Sequence, residues 1–127
     1  MTIPVLRCKA GVTFKTIAPG GFRLLAALDN ACRVIASDLT ITAATNAHTT
    51  GRHPLGEAYD VRVSDLTPAQ LVRLVDHLRY ALGVRFTVLY EVPQTPSDPT
   101  LAALAYVNPN ATGPHLHLQV KKGEQYP

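Results

Sequence analysis

Two short stretches of the chain concentrate side chains that can hold a metal ion or move a proton. They are HPLGEAYD, from His53 to Asp60, and HLH, at 115–117. Imidazole nitrogen and carboxylate oxygen both serve as zinc ligands. Asp60 falls in the alternating segment 57–63, EAYDVRV. There Tyr59, Val61 and Val63 make an apolar face, and Ala58, Asp60 and Arg62 make the other. His115 and His117 share the polar face of their own strand, because residues i and i+2 point the same way. His53 lies in the loop just before the Asp60 strand, with Gly56 as a place to turn back and Ala58 keeping the neighbourhood small. Three ligands from this set leave a fourth position for water, which is the catalytic rather than the structural zinc arrangement. Spacing alone leaves other readings open. Neither stretch is a complete motif of the HExxH kind, strand histidines can face solvent, and Asp60 can be an ordinary surface carboxylate.

The elements that must position these residues are legible from periodicity. Residues 1–19 are irregular or hold one short strand, and Pro19-Gly20-Gly21 punctuates the chain. Phe22, Leu25, Leu28 and Cys32 recur at helical spacing, widened by Leu24, Val34 and Ile35, and predict a helix over about 21–36. LTITAA at 39–44 reads as a strand with Leu39, Ile41 and Ala43 on one face. The polar stretch 45–56 reads as a long surface loop. A second helix over about 68–82 has a full start signal: Thr67 as cap, Pro68 in the first turn and Gln70 completing a capping box. Its stripe is Leu71, Leu74, Val75, Leu78 and Leu82, and Gly83 ends it. VRFTVLYE at 84–91 predicts a strand with Val84, Phe86, Val88 and Tyr90 on one face. A proline-rich loop follows at 92–100. LAALAYV at 101–107 is ambiguous between a short helix and a strand, 108–114 is turn-rich, and HLHLQVK at 115–121 is a strand. The fold class expected is α+β: one mixed or mostly antiparallel sheet with helices packed on one face.

The totals narrow the function classes. A chain of 127 residues predicts one domain, 1–127, large enough to bury a core without staples. The formal charge is +3 and the pI near 9.1, with basic residues scattered except for Lys121-Lys122, which argues against a nucleic-acid partner. No apolar run approaches 18 residues, so no membrane span is expected. The first residues, MTIPVLRCKAG, lack the pattern of a standard secretory signal. Cys8 and Cys32 have no metal-site spacing. One disulfide is possible, and two buried or partly buried thiols are the expectation.

HxxGxAxD, present as His53, Gly56, Ala58 and Asp60, followed much later by HxH, resembles the zinc D-Ala-D-Ala carboxypeptidase and peptidoglycan endopeptidase group. This is the peptidase M15 family and its relatives, which share a fold with the hedgehog signalling domain. The resemblance spans roughly residues 38 to 121. It implies one zinc ion per chain bound by His53, Asp60 and His117, with His115 assisting at the water. It also implies hydrolysis of an amide bond in a peptidoglycan stem or cross-bridge peptide. The group includes bacterial and phage enzymes, so it points to a protein of the cell wall or a phage lysin and leaves the location open. Two departures stand out. The family usually has Ser or Thr two residues before the first ligand, where this chain has Gly51. It also usually carries an arginine after the preceding strand, where this chain has Ala43-Ala44-Thr45-Asn46. Arg52 can substitute only if its side chain turns inward.

Other chemistry-bearing residues carry less. His48 reads as a surface residue of the 45–56 loop with substrate contact as the alternative, and His77 as structural or solvent-facing on the second helix. Glu91 is either an outer-shell partner of a zinc histidine or an exposed strand-end carboxylate. Tyr90 and Tyr106 read as core or rim aromatics, and Ser64-Asp65 has no base placed beside it. Three functions compete: a peptidoglycan metallopeptidase, a non-catalytic zinc-containing structural or wall/protein-binding module of the same fold, and a domain with no metal.

Overall fold

A computed structural model describes residues 2–46 and 51–121. The elements run β1 (Leu6–Cys8), α1 (Pro19–Ile35), β2 (Leu39–Ala43), β3 (Ala58–Arg62), α2 (Pro68–Leu82), β4 (Phe86–Val92), α3 (Pro99–Leu104), β5 (Ala105–Val107) and β6 (His115–Val120). The strands form one sheet in the order β1-β2-β3-β6-β4-β5. Pairings β2–β3, β3–β6 and β6–β4 are antiparallel, and β1–β2 and β4–β5 are parallel. The parallel pairs are the ones joined through helices, α1 and α3, because a parallel neighbour needs a crossover. The mixed α+β sheet read from the sequence is therefore present.

Alternation decides which side chains enter the core. Tyr59, Val61, Phe86, Val88, Tyr90, Val92, Leu116, Leu118 and Val120 all lie on the sheet face covered by helices, and pack with Leu24, Leu28, Leu71, Leu74 and Leu78. The opposite face carries Asp60, Arg62, Glu91, His115 and His117. Both ends of α2 follow the sequence. Thr67 Oγ1 accepts from the Gln70 backbone N–H, the Gln70 side chain accepts from Thr67 N–H, and Gly83 takes a positive φ at the C-terminal cap. Gln70 Nε2 also donates to the Ile35 carbonyl, and Arg79 donates to the Val88 carbonyl, which ties α2 to α1 and β4.

Several local expectations are corrected. Pro19 opens α1 rather than punctuating a loop, and Gly20 and Gly21 are buried in its first turn. The buried stripe of α1 is Leu24, Ala27, Leu28, Ala31, Cys32 and Ile35; Phe22 is 61% exposed. The stripe follows the smaller alanines because they let α1 approach the sheet and α2. Val84 belongs to a turn and is 85% exposed, so β4 begins at Phe86. A register shift between Ile41 and Ala43 leaves Ala43 opposite Asp60 and sends Ala44, not Ala43, into the core. The ambiguous stretch 101–107 is both things in turn, the end of α3 and then β5. Cys8 is exposed, Cys32 is buried, and both are free thiols.

Candidate metal centre

β6, last in sequence, inserts between β3 and β4, and its register builds the site. Asp60 lies opposite His117 on one side, and Glu91 lies opposite His115 on the other. His53 arrives from the turns that precede β3. Its carbonyl accepts from Gly56 N–H at 3.0 Å, and Gly56 adopts φ +71°, a left-handed conformation that glycine adopts without strain. The Gly56 carbonyl in turn accepts from Ala18 N–H at 3.2 Å, which pins the turn to the start of α1. That approach needs Gly21, where a Cβ would stand 2.0 Å from the Gly56 oxygen. His53 is consequently 3% exposed, a buried residue in a stretch whose composition reads as surface loop.

His53, Asp60 and His117 each offer one ligand atom, all within 4.8 Å of one another. His53 Nε2 stands 3.5 Å from Asp60 Oδ1, and His117 Nδ1 stands 2.9 Å from the same oxygen. The rings of His53 and His117 are 5.3 Å apart between centroids. Two zinc ligands at tetrahedral angles are separated by about 3.3 Å, given metal–ligand distances of about 2.0–2.1 Å, so the spacing fits a divalent cation such as zinc with small adjustments at His117. Ring tautomers fit as well. His53 Nδ1 lies 3.0 Å from the Ala44 carbonyl, which can only accept, so the proton sits on Nδ1 and the Nε2 lone pair faces Asp60. His117 Nε2 lies 2.7 Å from Gln119 Oε1; a proton there leaves the Nδ1 lone pair toward Asp60. Outer partners that fix the ring and its tautomer are a regular feature of metal-binding histidines.

The electrostatics show how strongly the cluster is coupled. Burial works to raise the pKa of Asp60, but the His117 hydrogen bond and the closeness of the His53 and His117 rings outweigh it. The carboxyl is held well below the usual carboxylate range. Burial alone would lower the pKa of His117. The Asp60 and Gln119 hydrogen bonds, with the charges of Asp60 and Glu91, outweigh that and raise it. A proton on His117 thus occupies the place of a cation between the ring and Asp60.

His115 does not join the three. Its Nε2 lies 3.0 Å from Glu91 Oε1, and its Nδ1 donates to the Gly113 carbonyl at 3.0 Å. It shares with Asp60 and His117 a cavity of about 450 Å³, lined also by Glu91, Asn108 and Asn110; the buried His53 is not part of that lining. Arg52 does not turn inward. It is held by Glu57 at 3.0 Å and by the Lys121 carbonyl at 3.2 Å, and braces the loop against the end of β6. His77 faces Asn30 of α1 at 3.4 Å, away from the site. Tyr90 is buried in the core with its phenol pKa raised by burial, Tyr106 is 53% exposed, and Ser64-Asp65 lies in an exposed turn. His48 lies outside the described residues, as do Lys122 and the last residues of the chain.

Sequence reasoning missed Gln119, although the alternation 115, 117, 119 on one strand was enough to put it beside the two histidines. Glu91 was weighed as a partner of a zinc histidine; it partners His115, which stands outside the cluster of three. The Ala44 carbonyl carried no signal, because its exposure to His53 depends on the register shift in β2. Compared with protein-family models, with curated proteins and with solved structures, the chain matches none of them.

Proposed function

We propose that the protein is a zinc-dependent hydrolase that cleaves a peptide amide bond, its substrate a peptidoglycan stem or cross-bridge peptide. In this reading, residues 1–127 form a single metallopeptidase-like domain of the hedgehog/DD-peptidase kind. The observation that carries the hydrolytic reading is the closeness of two constellations: His53, Asp60 and His117 with ligand atoms converging, and, in the cavity that Asp60 and His117 line, a histidine–carboxylate pair, His115 and Glu91. The choice of peptidoglycan rests on the HxxGxAxD and HxH resemblance alone.

The ligands are His53 Nε2, Asp60 Oδ1 and His117 Nδ1. A divalent cation there supplies a Lewis acid for a carbonyl oxygen and lowers the pKa of water. The chain's own residues do the rest. Ala44 and Gln119 hold the two ligand rings in the binding tautomer. Glu91 and the Gly113 carbonyl hold the His115 ring against the cleft, so that it can pass a proton. In the reaction, the oxygen of water bonds to the carbonyl carbon and the C–N bond breaks. The proton lost by the water is taken up by the His115–Glu91 pair and passed to the departing amine nitrogen, and the products are a carboxylate and an amine. Asn108 and Asn110 line the cavity with amide groups suited to a peptide backbone.

One observation favours a second reading, a non-catalytic zinc-containing structural or wall/protein-binding module. The arginine typical of the resembling family has no counterpart at 43–46, and Arg52 is engaged elsewhere. Metal analysis of untagged protein, followed by digestion of purified peptidoglycan and release of new amines, decides between them. One zinc per chain with new amines supports the hydrolase, and one zinc without them supports the module. No bound metal in protein refolded with zinc overturns both.

A further inference from the structure

His115 and Glu91 face each other as two acceptors. His115 Nδ1 lies 3.0 Å from the Gly113 carbonyl, which can only accept, so that nitrogen carries a proton. Nε2 is then the ring nitrogen with a lone pair to offer, and it stands 3.0 Å from Glu91 Oε1. A lone pair and a carboxylate oxygen repel at that distance unless something positive lies between them. A proton fills the place in one state. A metal ion can fill it in another, since neutral imidazole and carboxylate are both zinc ligands. Two ligands of one tetrahedral zinc stand about 3.3 Å apart, so the pair need open by only about 0.3 Å. The surroundings suit a cation. Both side chains are about one-fifth exposed, at 21% and 18%, and the cavity of about 450 Å³ has room for water to complete a coordination sphere. No lysine or arginine is among its described lining residues. Arg62 lies opposite His115 in register, but it is exposed and lines a neighbouring hollow with Lys9 instead.

We propose that His115 Nε2 and Glu91 Oε1 form a second, weaker site for a divalent transition-metal cation such as zinc, and that filling it switches the reaction off. The site stands on the geometry of the pair; the switch rests on the hydrolytic reading above. The first centre has three protein ligands, whereas this one has two, with water for the rest, so it fills only when zinc is in excess. His115 and His117 are two strand residues apart, about 6.7 Å, and each ring has its own carboxylate. The two cations therefore need no common ligand, and the second binds without expelling the first. Their mutual repulsion at that range adds to the weakness of the second. On binding, the cation takes the place of the proton on Nε2, which goes to solvent, and engages the Glu91 carboxylate. The pair then has no group free to take up the proton of the attacking water. One nitrogen and one oxygen ligand select zinc, cobalt, nickel or copper over magnesium and calcium, which prefer oxygen alone.

The test is a zinc titration of metal-free, ¹⁵N-labelled, untagged protein, read from the imidazole nitrogens by NMR. The chain has five histidines, and the ring signals tell them apart. The first equivalent should move His53 Nε2 and His117 Nδ1. Further zinc should move His115 Nε2, with His53 and His117 still metal-bound. E91Q and H115A should keep the tight equivalent and lose the second; if E91Q does not fold, H115A and the wild-type ring signals carry the comparison. Magnesium at the same concentration should leave His115 unmoved. Peptide hydrolysis should rise with the first equivalent and fall as the His115 signal shifts, toward the level of H115A, a loss of about 10²-fold. Excess zinc that leaves the His115 signal unmoved, or that appears at His48 or His77 instead, overturns the site. So does a His115 shift that is unchanged in E91Q. A filled second site with an undiminished rate overturns the switch and leaves the site standing. No hydrolysis at any zinc level removes the reaction and the switch together, and the His115 signal alone then decides the site.

Discussion

Gly21→Ala sets two physical effects against each other, and the structure says which wins. Gly21 is in the first turn of α1, where alanine is the better helix former by about 1 kcal/mol. Its Cβ would stand 2.0 Å from the Gly56 carbonyl oxygen and 2.9 Å from the Tyr59 hydroxyl. Relieving the first contact requires the turn to retreat by more than about 1 Å. That breaks the Ala18 N–H to Gly56 hydrogen bond, about 1 kcal/mol, and overpacking costs a further ~1–3 kcal/mol. The net expectation is a loss of roughly 1–3 kcal/mol, or a fall in melting temperature on the order of 5–10 °C for a chain of this length. The retreat also drags His53, whose carbonyl is bonded to Gly56 N–H. Zinc affinity should drop at least about tenfold, as it does when an outer-shell support is disturbed. The assays are thermal unfolding in chelator and competitive zinc titration. Gly113→Ala, where a Cβ meets nothing within 4 Å, is the control and should change stability by less than about 0.5 kcal/mol. A Gly21→Ala protein more stable than the parent, with unchanged zinc affinity, would refute the claim that this close approach holds the ligand loop.

Four further outcomes follow from the site. His117→Ala should lose zinc and activity together, while His115→Ala should keep zinc and lose about 10²-fold in kcat; metal titration and peptide hydrolysis on both proteins check this, and the opposite pattern reverses the assignment. Gln119→Leu removes the group that fixes the His117 tautomer and should weaken zinc about 10–100-fold, measured by chelator competition; unchanged affinity would show that Asp60 alone orients the ring. The metal-free protein should be most stable between about pH 4 and 6.5, the ordinary pKa values of its partners. The lowered Asp60 pKa makes its contribution present above that lower limit and lost as pH falls through the folded value; the raised His117 pKa makes its contribution present below the upper limit and lost as pH rises through the folded value. Zinc must displace the His117 proton, so its binding should tighten with rising pH and release protons, which buffers of different ionisation enthalpy report in calorimetry.

The elements that were legible in the sequence are those whose signals are local. The capping box at Thr67 and Gln70, the stripe of α2, and the alternation in 57–63 and 115–120 depend on neighbours a few residues away. They put Asp60 opposite the core face from Tyr59, and both histidines of HLH on one side, before any contact between strands is known. The type and spacing of His53 and Asp60 were likewise enough to nominate a metal site. Local pattern could not rank His115 against His117, since residues i and i+2 are equivalent on an isolated strand. That choice was made by β6 entering between β3 and β4, which set Asp60 against one ring and Glu91 against the other. Nor could composition reveal that His53 is buried. Its loop is polar, and what closes over it is the approach of Gly56 to Gly21, a contact between residues 35 positions apart. The bulge in β2 that turns the Ala44 carbonyl toward His53, and the cleft that brings Lys9 beside Arg62, have the same origin. Periodicity reports which way a side chain points from its own element. Which side chains then meet is decided by strand order and register, and these depend on burying all the apolar faces at once.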